Sequence, residues 1–217
     1  MSDAGHSDGK PSDPALLTLH GVRVLGGPST ERIAKRFTLP VDDVREHLLD
    51  AQAYGWVSRY DFFGETWSLT ELGKAENERQ LAAELDAVGA RAAVTEAHQR
   101  FRPLNRRHGV ACTDWQLRPT RWDRHAANDH DDSVWDAKVL VTLETVDQEL
   151  AALNTALAGV LSRFAGYAHR HHHALTRVRH GRHEWLDAPD RDSCQLVWIQ
   201  FHEDLLATLG IPRGSDV

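Results

Sequence analysis

The feature that most constrains this chain is a change of hydrophobic period, from 3.6 to 2 and back, within residues 15–85. Ala15–Leu25 carries Leu16, Leu19, Val22 and Val24 at helical spacing, and Gly26-Gly27 closes the run. Pro28-Ser29-Thr30-Glu31 opens a second helix. Ser29 is suited to cap it and Glu31 to sit in its first turn, where exposed N–H groups favour an acid. Ile33, Ala34 and Phe37 form its apolar side, and Leu39-Pro40 makes the next turn. Val41–Tyr54 then sets Val41, Val44, Leu48 and Ala51 on one side and ends at Gly55. The period next falls to 2. Trp56–Tyr60 and Thr66–Leu69 predict two short strands joined through Asp61-Phe62-Phe63-Gly64-Glu65, a hairpin. Thr70 caps a return to helix that runs toward Leu85.

The carrying residues are Ser29-Thr30-Glu31-Arg32-Ile33-Ala34, Val41-x-x-Val44-x-x-x-Leu48, Gly55-Trp56-Val57 and Trp67-Ser68-Leu69-Thr70-x-x-Gly73-Lys74. In this order they resemble the winged helix-turn-helix of bacterial transcriptional regulators of the MarR and PadR kind. The resemblance covers residues 14–85, about a third of the chain. It implies duplex DNA as the partner, with the third helix in the major groove and the hairpin tip on backbone or minor groove. The phosphate contacts it implies are Arg32, Lys35 and Arg36 on the second helix, Arg45 and His47 on the third, and Arg59 at the wing. Ser29 and Thr30 would donate from a helix N-terminus. Against this, Asp42, Asp43, Glu46 and Asp50 make the outer side of the third helix acidic, and Asp61 and Glu65 add acid to the wing. Asp42 and Asp43 suit a helix N-terminus. Glu46 and Asp50 fit DNA only as readers of cytosine amino groups. Otherwise the winged helix is a scaffold or a protein-interaction module.

The remainder reads as helical, so the expected fold is mainly α. It consists of a loose tail over 1–13, a winged helix-turn-helix domain with a small β-hairpin wing over 14–85, and an all-α domain over 86–217. Ala92–Arg107 places Val94, His98, Phe101 and Leu104 on one face. His108–Asp132 reads as long and irregular, the usual sign of a functional or mobile segment. From Val139, apolar residues fall at Leu143, Val146, Leu150, Leu153, Leu157, Val160 and Phe164, a heptad pattern that suggests a homodimer seam. Thr145-x-x-Gln148 would split this run as a capping box, and Lys138–Leu143 is β-rich enough to form a strand. Asp192–Leu209 predicts a last helix.

Composition excludes several classes. The formal charge of −7 excludes a generally basic nucleic-acid coat, and 2 Cys exclude a disulfide framework. There is no apolar run of transmembrane length, and Met1–Pro14 lacks the apolar core of a signal peptide, so a cytoplasmic, reducing location is expected. Trp115, Trp122, Trp135 and Trp198, with Arg118, Asp192 and His202 as polar groups, would line a pocket for a small, partly apolar ligand. His169 and His173 lie one helical turn apart and are weak metal candidates. His125, Asp129, His130, Cys194 and His202 offer further ligands. The paired-Cys and HExxH arrangements are absent, and no cofactor is expected. Cys112-Thr113-Asp114 and Asp192-Ser193-Cys194 supply possible nucleophiles with His108 or His202 as base, but no catalytic motif accompanies them. The expectation is a dimeric DNA-binding regulator that senses a small ligand, and not an enzyme. The alternatives are a small-molecule-sequestering protein that keeps the acidic winged helix as a scaffold, and a metal-dependent sensor or enzyme built on the His-rich segments.

Overall fold

The computed structural model describes residues 9–62 and 64–215. Within them the chain is mainly helical, with eight α-helices and one two-stranded antiparallel sheet. The order is α1 (Pro14–Leu25), α2 (Thr30–Phe37), α3 (Val41–Ala53), β1 (Val57–Tyr60), β2 (Thr66–Leu69) and α4 (Glu71–Ala87). It continues with α5 (Arg91–Gln116), α6 (Ser133–Ala158), α7 (Tyr167–Arg179) and α8 (Cys194–Leu209). No helix among the described residues is long and apolar enough to cross a membrane.

Two compact units emerge. The first comprises Met1–Thr95, Leu157–Phe164 and Gln200–Val217, and the second Glu96–Ala156 and Ala165–Ile199. The first therefore takes in more than the 14–85 segment, because residues 157–164 and the end of the chain belong to it.

Local chemistry sets the helix ends of the first unit. Asp13 Oδ1 accepts the N–H groups of Ala15 and Leu16, and Pro14 occupies a position where a missing N–H costs nothing. Ser29 Oγ accepts from Arg32 N–H to start α2. Thr70 does the same for Gly73 at the start of α4. Gly73 is required there, since a Cβ would sit 1.9 Å from the Trp56 carbonyl oxygen. Val57 pairs with Leu69 and Tyr60 with Thr66, which closes the hairpin. Leu19, Val22, Ile33, Val44, Leu48, Val57 and Trp67 form one core, each side chain contributing roughly 1.5–3 kcal/mol by burial. Of the 1–13 tail, residues 1–8 lie outside the described residues, as does Phe63 in the hairpin connection. The described part is not loose: Lys10 N–H donates to Val160 O, and Ser162 N–H donates to Lys10 O.

The second unit departs from expectation in three places. The helix read as ending at Arg107 continues to Gln116, carrying Pro103 inside it at the loss of one ladder bond, so the irregular stretch shrinks to 117–132. α6 starts at Ser133, because Asp132 Oδ1 caps it by accepting from Val134 and Trp135 N–H. Lys138–Leu143 is therefore helix and not strand, and Thr145 turns its hydroxyl back onto Val141 O without starting a new helix. The heptad residues Val139, Leu143, Val146, Leu150, Leu153 and Leu157 are all buried in the single chain, so they leave no open seam for a partner. Ala111, Cys112, Trp115, Ala174, Leu175 and Val178 share the cluster that covers Val139 and Leu143.

Candidate functional site

The outer surface of α2, α3 and the hairpin is the first candidate. α3 buries Val44, Leu48 and Ala51. A 3.6-residue repeat then turns Asp42, Asp43, Glu46, Leu49 and Asp50 outward, and all five are exposed. The eight residues implied as DNA contacts are held unequally. Thr30 is fully buried: its hydroxyl donates to Glu65 and accepts from Trp67 Nε1, tying the hairpin to the start of α2. Ser29 is spent on its own cap. Arg36 donates to Arg163 O and lies 4.9 Å from the centre of the Phe37 ring. Arg45 faces Glu31 at 3.8 Å, and Arg59 faces Asp61 at 3.1 Å and Glu65 at 3.5 Å. Burial pushes the Glu65 carboxyl up, but the bonds from Thr30 and Trp67 outweigh it and hold the group below the usual range, ionised beside Arg59. Arg32 and His47 are half-buried and Lys35 is exposed. The surface is thus an acidic face with three cations already matched to acids or backbone.

The first unit also holds a buried charged cluster that sequence reading missed. Asp204, on α8, accepts from His20 Nε2 of α1 at 3.0 Å and from Arg163. Arg163 also donates to Glu84 at 3.0 Å and to Thr208 at 2.8 Å. His20 Nδ1 lies 3.3 Å from Asn77 Oδ1. Burial pushes the Asp204 carboxyl up, but Arg163 and then His20 overcome this and hold it far below the carboxylate range. The one available sequence signal was a charge set within an apolar stripe, as Asp204 is between Phe201 and Leu205.

The residues read as a ligand pocket are each engaged differently. Trp115 and Trp135 share one apolar cluster, with Trp135 Nε1 donating to Asp114 O. Trp122 is 84% exposed, its ring under Arg121. Trp198 is buried, stacked on Phe101 and on His108, and donates to Asn105. Arg118 pairs with Asp132 and Asp129, and Asp192 takes both arms of Arg170. His202 belongs to the first unit.

The metal and nucleophile candidates fare similarly. His169 and His173 are exposed, His173 packing edge-on against Trp185. His130 is bound to Asp136 at 2.9 Å, and His125 lies in a turn closed by Asp123. Among the described residues no group of three or more His, Cys, Asp or Glu is placed to hold a metal ion. Burial pushes the Cys112 thiol up to about 12, helped by Asp187, and raises Cys194 as well, so both sulfurs are protonated and poor nucleophiles. Ser193 Oγ accepts from Leu196 N–H at the start of α8.

One histidine of the run is different. His171 is fully buried and its Nδ1–H donates to Asp147 at 2.7 Å, while the other Asp147 oxygen meets His172 at 2.8 Å. His171 Nε2 is buried without a hydrogen-bond partner, beside the His108 ring at 5.7 Å between centres. Burial, with a smaller contribution from His171, holds His108 well below its ordinary value, hence neutral. No protein-family model matches the chain, and neither a curated protein nor a solved structure matches it.

Proposed function

We propose that the chain is a winged-helix transcriptional regulator that binds duplex DNA through α2, α3 and the β1–β2 hairpin. The observation that supports this reading best is the succession α1–α2–α3–β1–β2–α4 packed on one core, with the hairpin tied to the start of α2 by Trp67, Thr30 and Glu65. That arrangement leaves the outer side of α3 and the hairpin tip facing solvent, as major-groove entry requires. Lys35 and Arg32 are the phosphate contacts this reading relies on most, and Glu46 and Asp50 accept from cytosine amino groups. Binding is tested by selection from a random duplex library at low and moderate salt. An enriched site whose occupancy falls with salt supports the reading, and Lys35→Ala weakens binding to all sequences alike. Absence of enrichment at both salts overturns it.

A second reading is favoured by one specific observation. Arg45 and Arg59 are matched to acids, while Asp42, Asp43, Glu46 and Asp50 surround the exposed Leu49. A face of that kind fits a basic protein partner better than phosphate. In this reading the winged helix is a docking module, and Leu49→Ala abolishes partner binding without altering salt-dependent contact with DNA.

A further inference from the structure

We propose that His130 and His183 of the second unit form a binding site for one divalent transition-metal ion. His130 stands in the irregular segment 117–132, and His183 opens the short turn His183–Trp185. Their ring centres are 4.5 Å apart with the planes inclined at 58°. The Trp115 ring lies against both, at 4.5 Å from His130 and 5.2 Å from His183. Two imidazoles that bind one ion through nitrogen, at about 2.0–2.1 Å each, bring their ring centres to roughly 4.5–5 Å. Packing on Trp115 accounts for the apolar contact of the two rings but leaves three nitrogens unused. Among the described residues, neither nitrogen of His183 nor Nε2 of His130 has a hydrogen-bond partner.

His130 is prepared for a ligand's role. Its Nδ1–H donates to Asp136 Oδ2 at 2.9 Å, which fixes the tautomer and leaves the Nε2 lone pair free. A carboxylate behind the ring is the usual outer partner of a metal-binding histidine, and it raises the basicity of the nitrogen that faces the ion. Asp136 is held in turn. Its other oxygen accepts from Asn128 Nδ2 at 2.8 Å, and the same Nδ2 donates to Trp115 O at 3.0 Å. His130 N–H donates to Asn128 Oδ1 at 3.2 Å, and the backbone of His130 is left-handed, with φ 62°, a conformation uncommon for a residue with a Cβ. Imidazole nitrogen selects zinc, copper or nickel over magnesium and calcium, which take oxygen. Two protein nitrogens leave the other positions of the ion to water, and the ion fastens segment 117–132 to the turn at His183. His169 and His173 on α7 make the contrast: among the described residues no carboxylate is bonded behind either ring. The site is independent of the DNA reading.

Calorimetric titration of the full chain, freed of any affinity tag, with Zn²⁺ tests the proposal. The wild type is expected to bind one ion per chain at this site. Asp136→Asn removes only the backing carboxylate and is expected to weaken binding by about 10–100-fold, and His130→Ala and His183→Ala, which each remove a ligand, by more. His169→Ala/His173→Ala is expected to leave the affinity unchanged. Long-range proton–nitrogen NMR of the wild type separates ligation from a structural effect and needs no variant to fold. It is expected to show His130 as the Nδ1–H tautomer, and Zn²⁺ is expected to move the Nε2 signal of His130 together with one nitrogen of His183. Absence of saturable Zn²⁺ binding overturns the proposal. So does binding that survives His130→Ala or His183→Ala, binding that disappears with His169→Ala/His173→Ala, or an Nε2 signal of His130 that Zn²⁺ does not move.

Discussion

Each of the two units buries a histidine on an aspartate, and the two pairs are completed differently. In the first, both ring nitrogens of His20 meet polar atoms, and Asp204 is shared with a fully buried arginine that reaches two further oxygens. In the second, Asp147 links the buried His171 to the exposed His172, and His171 Nε2 meets nothing. The first pair is neutralised by an opposite charge held at its centre. In the second, the aspartate is contacted partly from the surface, and the far nitrogen of His171 is left against His108 and Trp198. Buried polar groups that are matched fix one packing arrangement, and unmatched ones store a cost. The two pairs thus differ in what completes them, a buried guanidinium in the first and an exposed imidazole in the second.

The largest test of that contrast is Arg163→Met. It leaves Asp204 and Glu84 without their shared cation, and breaking a buried pair from one side costs about 3–5 kcal/mol. Amide hydrogen exchange in α1 and α8 should accelerate accordingly, since these helices carry His20 and Asp204. Adding Asp204→Leu should recover part of the loss by removing the stranded charge. The pH dependence carries the same sign. Asp204 is held below its unfolded value, so its contribution is present above about pH 4 and is lost as pH falls toward the folded value. Asp204→Asn should flatten that acid-side decline. If Arg163→Met leaves exchange in both helices unchanged, the cluster is not the organiser of the first unit.

The second test concerns His108. Its folded-state value lies below its ordinary one, so the unfolded chain takes up a proton that the folded chain refuses. Stability therefore falls as pH drops below about 6.5, with a slope of up to about 1.4 kcal/mol per pH unit for one proton. His108→Phe keeps a ring against Trp198, now stacked at 4.2 Å, and removes the proton site. The variant should gain on the wild type progressively between pH 7 and 5, read by urea denaturation followed by circular dichroism. An unchanged slope would show that the second unit absorbs a proton elsewhere.

The caps explain why so much of the first unit was legible. Ser29, Thr70 and the Gly26 turn act locally, within a few residues of the groups they satisfy, and the period change at Trp56 marks the hairpin directly. The second unit was harder because its boundaries are set by context. The helical face reads only to Arg107 and the stretch from His108 reads as irregular, whereas packing of Leu104, Ala111, Cys112 and Trp115 carries the helix through to Gln116. The tryptophans misled because an indole serves a core or a pocket equally well, and only position separates Trp198 from Trp122. The paired charges were invisible for a simpler reason. A buried Asp and a solvated Asp have the same letter, and the partner of Asp204 on α1 is 184 residues away.

The smallest expected effect sharpens the contrast most. His172 is 69% exposed on its side chain, yet it holds the second oxygen of the buried Asp147. An exposed imidazole beside a carboxylate contributes about 0.2–1 kcal/mol. His172→Ala should accordingly change the urea midpoint little at neutral pH. Asp147 is pushed up by burial and held below its ordinary value by His171 and then His172, so the loss of one partner lets its value rise. The deficit of the variant should therefore narrow as pH falls into the carboxylate range, while His171→Phe, which strands the buried oxygen, should be costly at every pH above it. Equal costs for the two variants would mean that Asp147 is held from both sides alike. The pair in the second unit would then be held as evenly as the one in the first, and the exposure of His172 would not weaken its grip on the carboxylate.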